Sequence, residues 1–155
     1  WFGDKLTCGA WNDIWLNEGF ATMGEYVVYE KLLMSPAQFQ SYLQNEMNDI
    51  TSAPDGSVYI PNSDLNSGRI FNARLTYTKG GYVLRMIKWI LGDEQFYAML
   101  KAYQNNAAFA YNYVKTNDFR DFLSLNLGVC VVFIRKTLLF KSLSVKVSLH
   151  FCKEI

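Results

Sequence analysis

Apolar positions recur every three or four residues through most of the chain. Leu16, Phe20, Met23, Val27 and the Leu32–Leu33 pair fall at helical spacing and predict a helix from about 16 to 33. Gly19 is an awkward early residue there, costing about 1 kcal/mol relative to alanine. A second helix has a strong start signal. Ser35 can cap, Pro36 suits the first helical position, and Gln38 completes a capping box. Phe39, Leu43, Met47 and Ile50 then form its apolar stripe. Residues 51–70 are rich in Ser, Asn, Asp, Pro and Gly and read as a loop. A further helix is predicted over 72–91, with Leu75, Val83, Met86, Ile87 and Ile90 as its apolar positions. Gly92 should stop it, and Asp93 should cap the next, over about 94–105. A short helix begins near Thr116–Asn117 and runs through Phe119 and Phe122. Ahead of all of these, Trp1 to Leu16 reads as a helix end followed by a connection, with Gly3 as the stop.

After Phe122 the pattern changes. Val129–Ile134 is a continuous apolar run, and Ser142–Cys152 mostly alternates, with Leu143, Val145, Val147, Leu149 and Phe151 on one face. Both read as strand. Charge changes at the same place. Residues 1–122 hold 13 acids against 10 Lys and Arg, and residues 123–155 hold one acid, Glu154, against five bases. The chain therefore divides into a mainly helical part, 1–122, and a basic, strand-like tail, 123–155.

Composition narrows the classes. With 50% hydrophobic and 16% aromatic residues, the 155-residue chain has the material for a real core. A net charge of +1 argues against a general nucleic-acid binder. No run approaches the roughly 20 apolar residues needed to cross a bilayer. Three scattered cysteines, Cys8, Cys130 and Cys152, make neither a zinc knuckle nor a disulfide framework. The lone histidine, His150, lies in the tail.

Two constellations could carry chemistry. In Trp15 to Ala21, Glu18 places a carboxylate in the first turn of an otherwise apolar helix, and Thr22, Glu25 and Tyr29 extend it into one polar stripe. A solvated helix face, with Glu18 merely favourable near the helix N-terminus, is the plain alternative. In Arg74 to Trp89, Tyr77, Gly80, Gly81 and Leu84 share a helix face. Two adjacent glycines in a helix cost roughly 2 kcal/mol together, and close approach of another helix is a reason to tolerate that. Here the plain alternative is a core tyrosine. Lys79 reads as a solvent-facing or salt-bridged lysine, because nothing nearby in the sequence supplies a reason for a depressed pKa.

The wording of these segments goes further. WFGDKLTCGAWNDIWLNEGFATMGEY, from Trp1 to Tyr26, resembles the stretch of aminopeptidase N-like (gluzincin) zinc metallopeptidases that follows the HExxH helix. Met23 departs from the tyrosine often found there. The resemblance implies that Glu18 is the third zinc ligand. It places two histidine ligands and the general base of HExxH just before Trp1, outside this chain. It also implies that a single zinc ion is the cofactor. RLTYTKGGYVLRMIKW, from Arg74 to Trp89, is similar to the family's Tyr-x-Lys-Gly segment, and the likeness assigns Tyr77 to the oxyanion of the tetrahedral intermediate. LGDEQFYAMLKAY and the Asp118–Phe119 pair carry the likeness to about Phe122. Glu25 lies two turns beyond Glu18, about 10 Å along the axis, too far to share the metal. Glu25 and Asn17 are instead candidates for orienting the site, Glu25 by accepting a hydrogen bond from a ligating histidine.

The implied fold is mainly α: the helical lobe of a thermolysin-like catalytic domain, incomplete at both ends. The implied function is zinc-dependent hydrolysis of N-terminal peptide bonds, on peptide substrates with a free N-terminus. The chain alone is expected to be inactive, since it lacks HExxH. A non-catalytic helical module that binds a partner through its aromatic surface is the alternative. The tail, where the likeness stops, reads as the product of a shifted reading frame or as a divergent extension.

Overall fold

The structure is a computed structural model that describes residues 1–54 and 56–127. Helices dominate it, as the periodicity predicts. Helix α1, Trp15–Val28, runs on through a π-helical segment, Tyr29–Leu33. Helix α2, Pro36–Thr51, starts with the predicted capping box: the Ser35 N–H donates to Gln38 Oε1 at 2.9 Å, and the Gln38 N–H donates to Ser35 Oγ at 3.4 Å. The 51–70 stretch is mainly loop, interrupted by a short 3₁₀ turn at Asn62–Asp64 and a one-turn helix α3, Ser67–Ile70. A second π-helical segment, Ala73–Lys79, leads directly into helix α4, Gly80–Gln104. Asn72 caps that segment by accepting from the Leu75 N–H at 3.0 Å.

Gly92 breaks α4 as predicted, with φ 75° and ψ 166°, a left-handed conformation that costs glycine nothing sterically. Asp93 uses its carboxylate differently from a cap. It receives Lys88 and, at 3.0 Å, Lys31, which ties the break to the end of the α1 π-segment. Helix α5, Thr116–Leu127, continues past the expected boundary, and Leu123 within it is fully buried. Residues 123–127 are thus helical rather than strand-like, because Leu123 completes the apolar face that Phe119 and Phe122 begin. The strand-like runs Val129–Ile134 and Ser142–Cys152, with Cys130 and His150, lie outside the described residues.

The beginning of the chain differs from expectation. Trp1 to Lys5 is a turn, closed by Lys5 N–H to Trp1 O at 2.8 Å and Gly3 N–H to Leu6 O at 2.7 Å, not a helix end. It feeds a strand, β1, Leu6–Cys8, which pairs in parallel with β2, Asn112–Val114. Three-residue strands leave no period to detect, so this pairing is decided by tertiary contact.

The core lies where α1, α4 and α5 meet. Phe20 of α1 packs edge-on against Phe119 of α5 at 5.3 Å, and Tyr103 of α4 lies 5.0 Å from the same Phe119 ring. Below it, Asp13 is buried yet satisfied: its Oδ1 accepts from the Thr116 N–H at 2.9 Å and from Thr116 Oγ1 at 2.7 Å. The buried Trp15 indole donates to Thr116 Oγ1 at 2.9 Å. The start of α1 is therefore anchored to the start of α5 across about a hundred residues of sequence. Among the described residues, no helix is long and apolar enough to cross a membrane.

Candidate active site

Helix α1 and the start of α4, directly after the Ala73–Lys79 segment, cross at their glycines. A Cβ on Gly19 would lie 2.8 Å from the carbonyl carbon of Gly80, and one on Gly80 would lie 3.0 Å from the Gly19 Cα. A Cβ on Gly81 would meet the Thr22 methyl at 2.7 Å. The two backbones touch, which only glycine permits. The expected close approach at Gly80 and Gly81 is thus real. Its partner is Gly19, the residue that looked misplaced in the first turns of α1.

That crossing brings together the two predicted site residues. Glu18 precedes Gly19, and Tyr77 lies one turn before Gly80. The Tyr77 hydroxyl is set against the Glu18 carboxylate. Partial burial first, and then the charge and hydrogen bond of Glu18, raise the Tyr77 pKa above the ordinary phenol value. The phenol accordingly stays protonated and able to donate at neutral pH. Glu18 itself is half-buried in the first turn of α1, where the helix dipole favours an anion. Thr22, next on the stripe, is buried and bonds back to the Glu18 carbonyl at 2.9 Å, which holds that turn. The segment bearing Tyr77 is π-helical, a wide turn frequent at functional sites.

Asn17 points away from this pair. Its Oδ1 accepts from the Cys8 N–H at 3.0 Å, so it pins β1 against the start of α1. Glu25 is exposed, two turns further along the stripe. The Cys8 thiol is half-buried; burial and then the charges of Asp13 and Glu18 keep it above the usual thiol pKa and protonated.

Lys79 departs from the sequence reading. It is only 3% exposed, and its Nζ donates to the Gly56 carbonyl. Burial, reinforced by the nearby positive charges of Arg74 and Arg69, pulls its pKa down to about 8. The reason was invisible locally, because the carbonyl that receives the ammonium belongs to Gly56, twenty-three residues earlier in sequence.

The donor set bears on which metal chemistry is available. Among the described residues, no three His, Cys, Asp or Glu side chains converge as a metal site. Glu18 offers one partly buried oxygen donor, with a protonated hydroxyl beside it. That fits a single-ligand contribution to a hydrolytic metal centre whose other ligands come from elsewhere.

Residues 1–138 match the family described as "Peptidase family M1 domain". The chain belongs to this family. Among its relatives, "Aminopeptidase N" of Lactococcus lactis subsp. cremoris (strain MG1363) is 37% identical over 108 residues, 66% of this chain and 13% of that protein. "Alanine/arginine aminopeptidase" of Saccharomyces cerevisiae is 35% identical over 140 residues, 85% of this chain and 16% of that protein. In three dimensions the chain is similar to the M1 zinc metallopeptidase from Deinococcus radiodurans, with a TM-score of 0.76 and 25% identity over 89% of this chain and 30% of that one. A mutant of that enzyme has been solved with a Tyr-Ser-Ala substrate. The fold is therefore the mainly helical one found in M1 zinc metallopeptidases. The chain spans between an eighth and a third of the proteins it matches.

Proposed function

We propose that this chain is the part of a zinc metalloaminopeptidase that carries one zinc ligand, Glu18, and the transition-state hydrogen-bond donor, Tyr77. The observation that carries this reading is the Gly19–Gly80 crossing, which sets a protonated Tyr77 hydroxyl against the Glu18 carboxylate. Zinc, when bound, supplies a Lewis acid and an activated water for attack on a carbonyl. Glu18 would supply one ligand to the ion, and two histidines preceding Trp1 would complete the set. The Tyr77 hydroxyl donates a hydrogen bond to the scissile carbonyl oxygen as negative charge develops there. Asn17 keeps the start of α1 fixed against β1, and Glu25 supports a ligating histidine. Peptides with a free N-terminus are the substrate class, in keeping with the aminopeptidase relatives and the peptide-bound neighbour.

The test is metal binding. The 155-residue chain alone should bind zinc weakly and turn over no aminoacyl-anilide, since one carboxylate makes a poor zinc site. In a chain extended upstream to include HExxH, Glu18→Ala should remove most bound zinc. Glu25→Ala should weaken zinc binding by about 10–100-fold, the usual cost of losing a residue that orients a ligand. Full zinc occupancy of the Glu18→Ala protein at low free metal would refute the ligand assignment.

A second reading, a helical interaction module, draws on the exposure of Trp1, Trp11, Trp89, Tyr111 and Tyr113. Sequencing upstream of Trp1 separates the two, because only the peptidase needs HExxH there.

A further inference from the structure

The Tyr77 turn is gripped from behind. Lys79 and Leu75, four residues apart in the π-helical segment, both close on Gly56. Lys79 Nζ donates to the Gly56 carbonyl, and a Cβ on Gly56 would fall inside the Leu75 isobutyl group. Gly56 has φ 121°, so glycine is required there both by conformation and by space. The neighbouring cations repeat the device. Arg69 donates to the Ser57 carbonyl and, at 3.3 Å, to Thr76 Oγ1; Arg74 donates to the Ile50 carbonyl at 3.0 Å. Arg69 also faces Asp64 at 3.7 Å. A further brace comes from Tyr26 of α1, fully buried, whose hydroxyl donates to Glu46 at 2.7 Å and lies 3.4 Å from the Thr78 carbonyl.

Burying an ammonium is costly, and it is tolerated where the group is held in a fixed geometry. Among the described residues, the charged groups that act on it are two arginines, Arg74 and Arg69. A lysine whose only task was stability would be better replaced by an apolar side chain of similar volume. The bond it makes is specific: one N–H donor, one carbonyl, at the C-terminal end of the turn that presents Tyr77.

We infer that Lys79 is a positioning residue: by holding the Gly56 carbonyl against the back of the Ala73–Lys79 turn, it sets the direction in which Tyr77 projects towards Glu18. This rests on the reading of Tyr77 and Glu18 as partners in one site. Without the Lys79 bond, the wide turn keeps its cap at Asn72 and its glycine contact at Gly80. It loses the anchor nearest Tyr77 on the Gly56 side, and the remaining braces at Thr76 and Thr78 leave the hydroxyl room to swing out of register. A displacement of about 1 Å is enough to cost a positioned group much of its effect.

The experiment uses the 155-residue chain with 3-fluorotyrosine, read by ¹⁹F NMR at neutral pH without metal. The Tyr77 resonance is assigned by its loss in Tyr77→Phe. In the wild-type chain, Glu18→Gln should move that resonance, which records the contact between the two side chains. In Lys79→Met, with the far-UV circular dichroism unchanged, the same Glu18→Gln substitution should leave the Tyr77 resonance where it is. Gly56→Ala, which displaces the carbonyl without touching Lys79, should abolish the response as well. It serves if Lys79→Met does not fold. A folded Lys79→Met or Gly56→Ala protein that keeps the full response would overturn the inference and leave the Tyr77–Glu18 site standing. A wild-type chain with no response to Glu18→Gln would overturn both.

Discussion

At the residue scale the central figure is Tyr77. A carbonyl oxygen carries little charge in bound substrate and nearly a full charge in the tetrahedral intermediate. A hydroxyl aimed at it therefore contributes in the transition state and little before it. In an extended, zinc-loaded protein, Tyr77→Phe should lower kcat by about 10²–10³-fold, with KM and zinc content little changed. The phenylalanine ring keeps the packing, so near-normal kcat in that variant would make Tyr77 a core residue only. Lys79 makes a separate prediction through pH. Below about pH 8 its amine is protonated in the folded and the unfolded chain alike, and the cost of burying the charge is fully present. Between about 8 and 10.5 the folded amine has released its proton while the unfolded one retains it, so the unfolded state binds more protons and stability rises with pH. The wild-type chain should gain on the order of 1–3 kcal/mol relative to Lys79→Met across that window, measured by urea unfolding. Using the difference removes the opposite trend of Cys8, whose raised thiol pKa lowers stability over the same range. A flat difference would place Lys79 in solvent.

At the element scale, the site is a helix crossing made possible by missing side chains. Alanine is intrinsically a better helix former than glycine by about 1 kcal/mol, so two glycines on α1 give a matched comparison. Gly24 has nothing within 4 Å of an added Cβ, and Gly24→Ala should raise stability by up to about 1 kcal/mol. Gly19→Ala drives its Cβ into the Gly80 backbone, which cannot rotate away as a side chain could. It should lower stability by roughly 1–3 kcal/mol and weaken the Tyr77–Glu18 contact with it. Thermal unfolding of the two variants side by side decides this. Equal gains in both would mean that α1 and the Tyr77 segment stand further apart than the structure places them.

At the scale of the whole molecule, the described core closes at Leu123, inside α5, a helix described as far as Leu127. The charge asymmetry beyond it marks a part of different character, which we propose adds little to the stability of the helical lobe. A chain ending at Leu127 should unfold at nearly the same urea concentration as the 155-residue chain. A clearly lower midpoint would show that the remainder packs natively, in keeping with a family match that runs to residue 138.

The sequence by itself determined where most of the helices lie, the cap at Ser35 and the break at Gly92. Ser35 with Gln38, Asn72 and the break at Gly92 act within a few residues of themselves, and local backbone chemistry does not depend on what lies across the core. The motif wording around Glu18 and Tyr77 pointed to the same two side chains that the fold brings face to face. Tertiary structure alone decided the rest. The β1–β2 pair joins residues a hundred positions apart and leaves no period to read. Asp13 is buried only because Thr116 comes to meet it. Gly19 looked like a fault in α1 until Gly80 filled the space its side chain would have taken. Lys79 looked like a surface residue until Gly56 folded over it. Desolvation and close approach are properties of the space around a residue, and that space is built by segments far away along the chain.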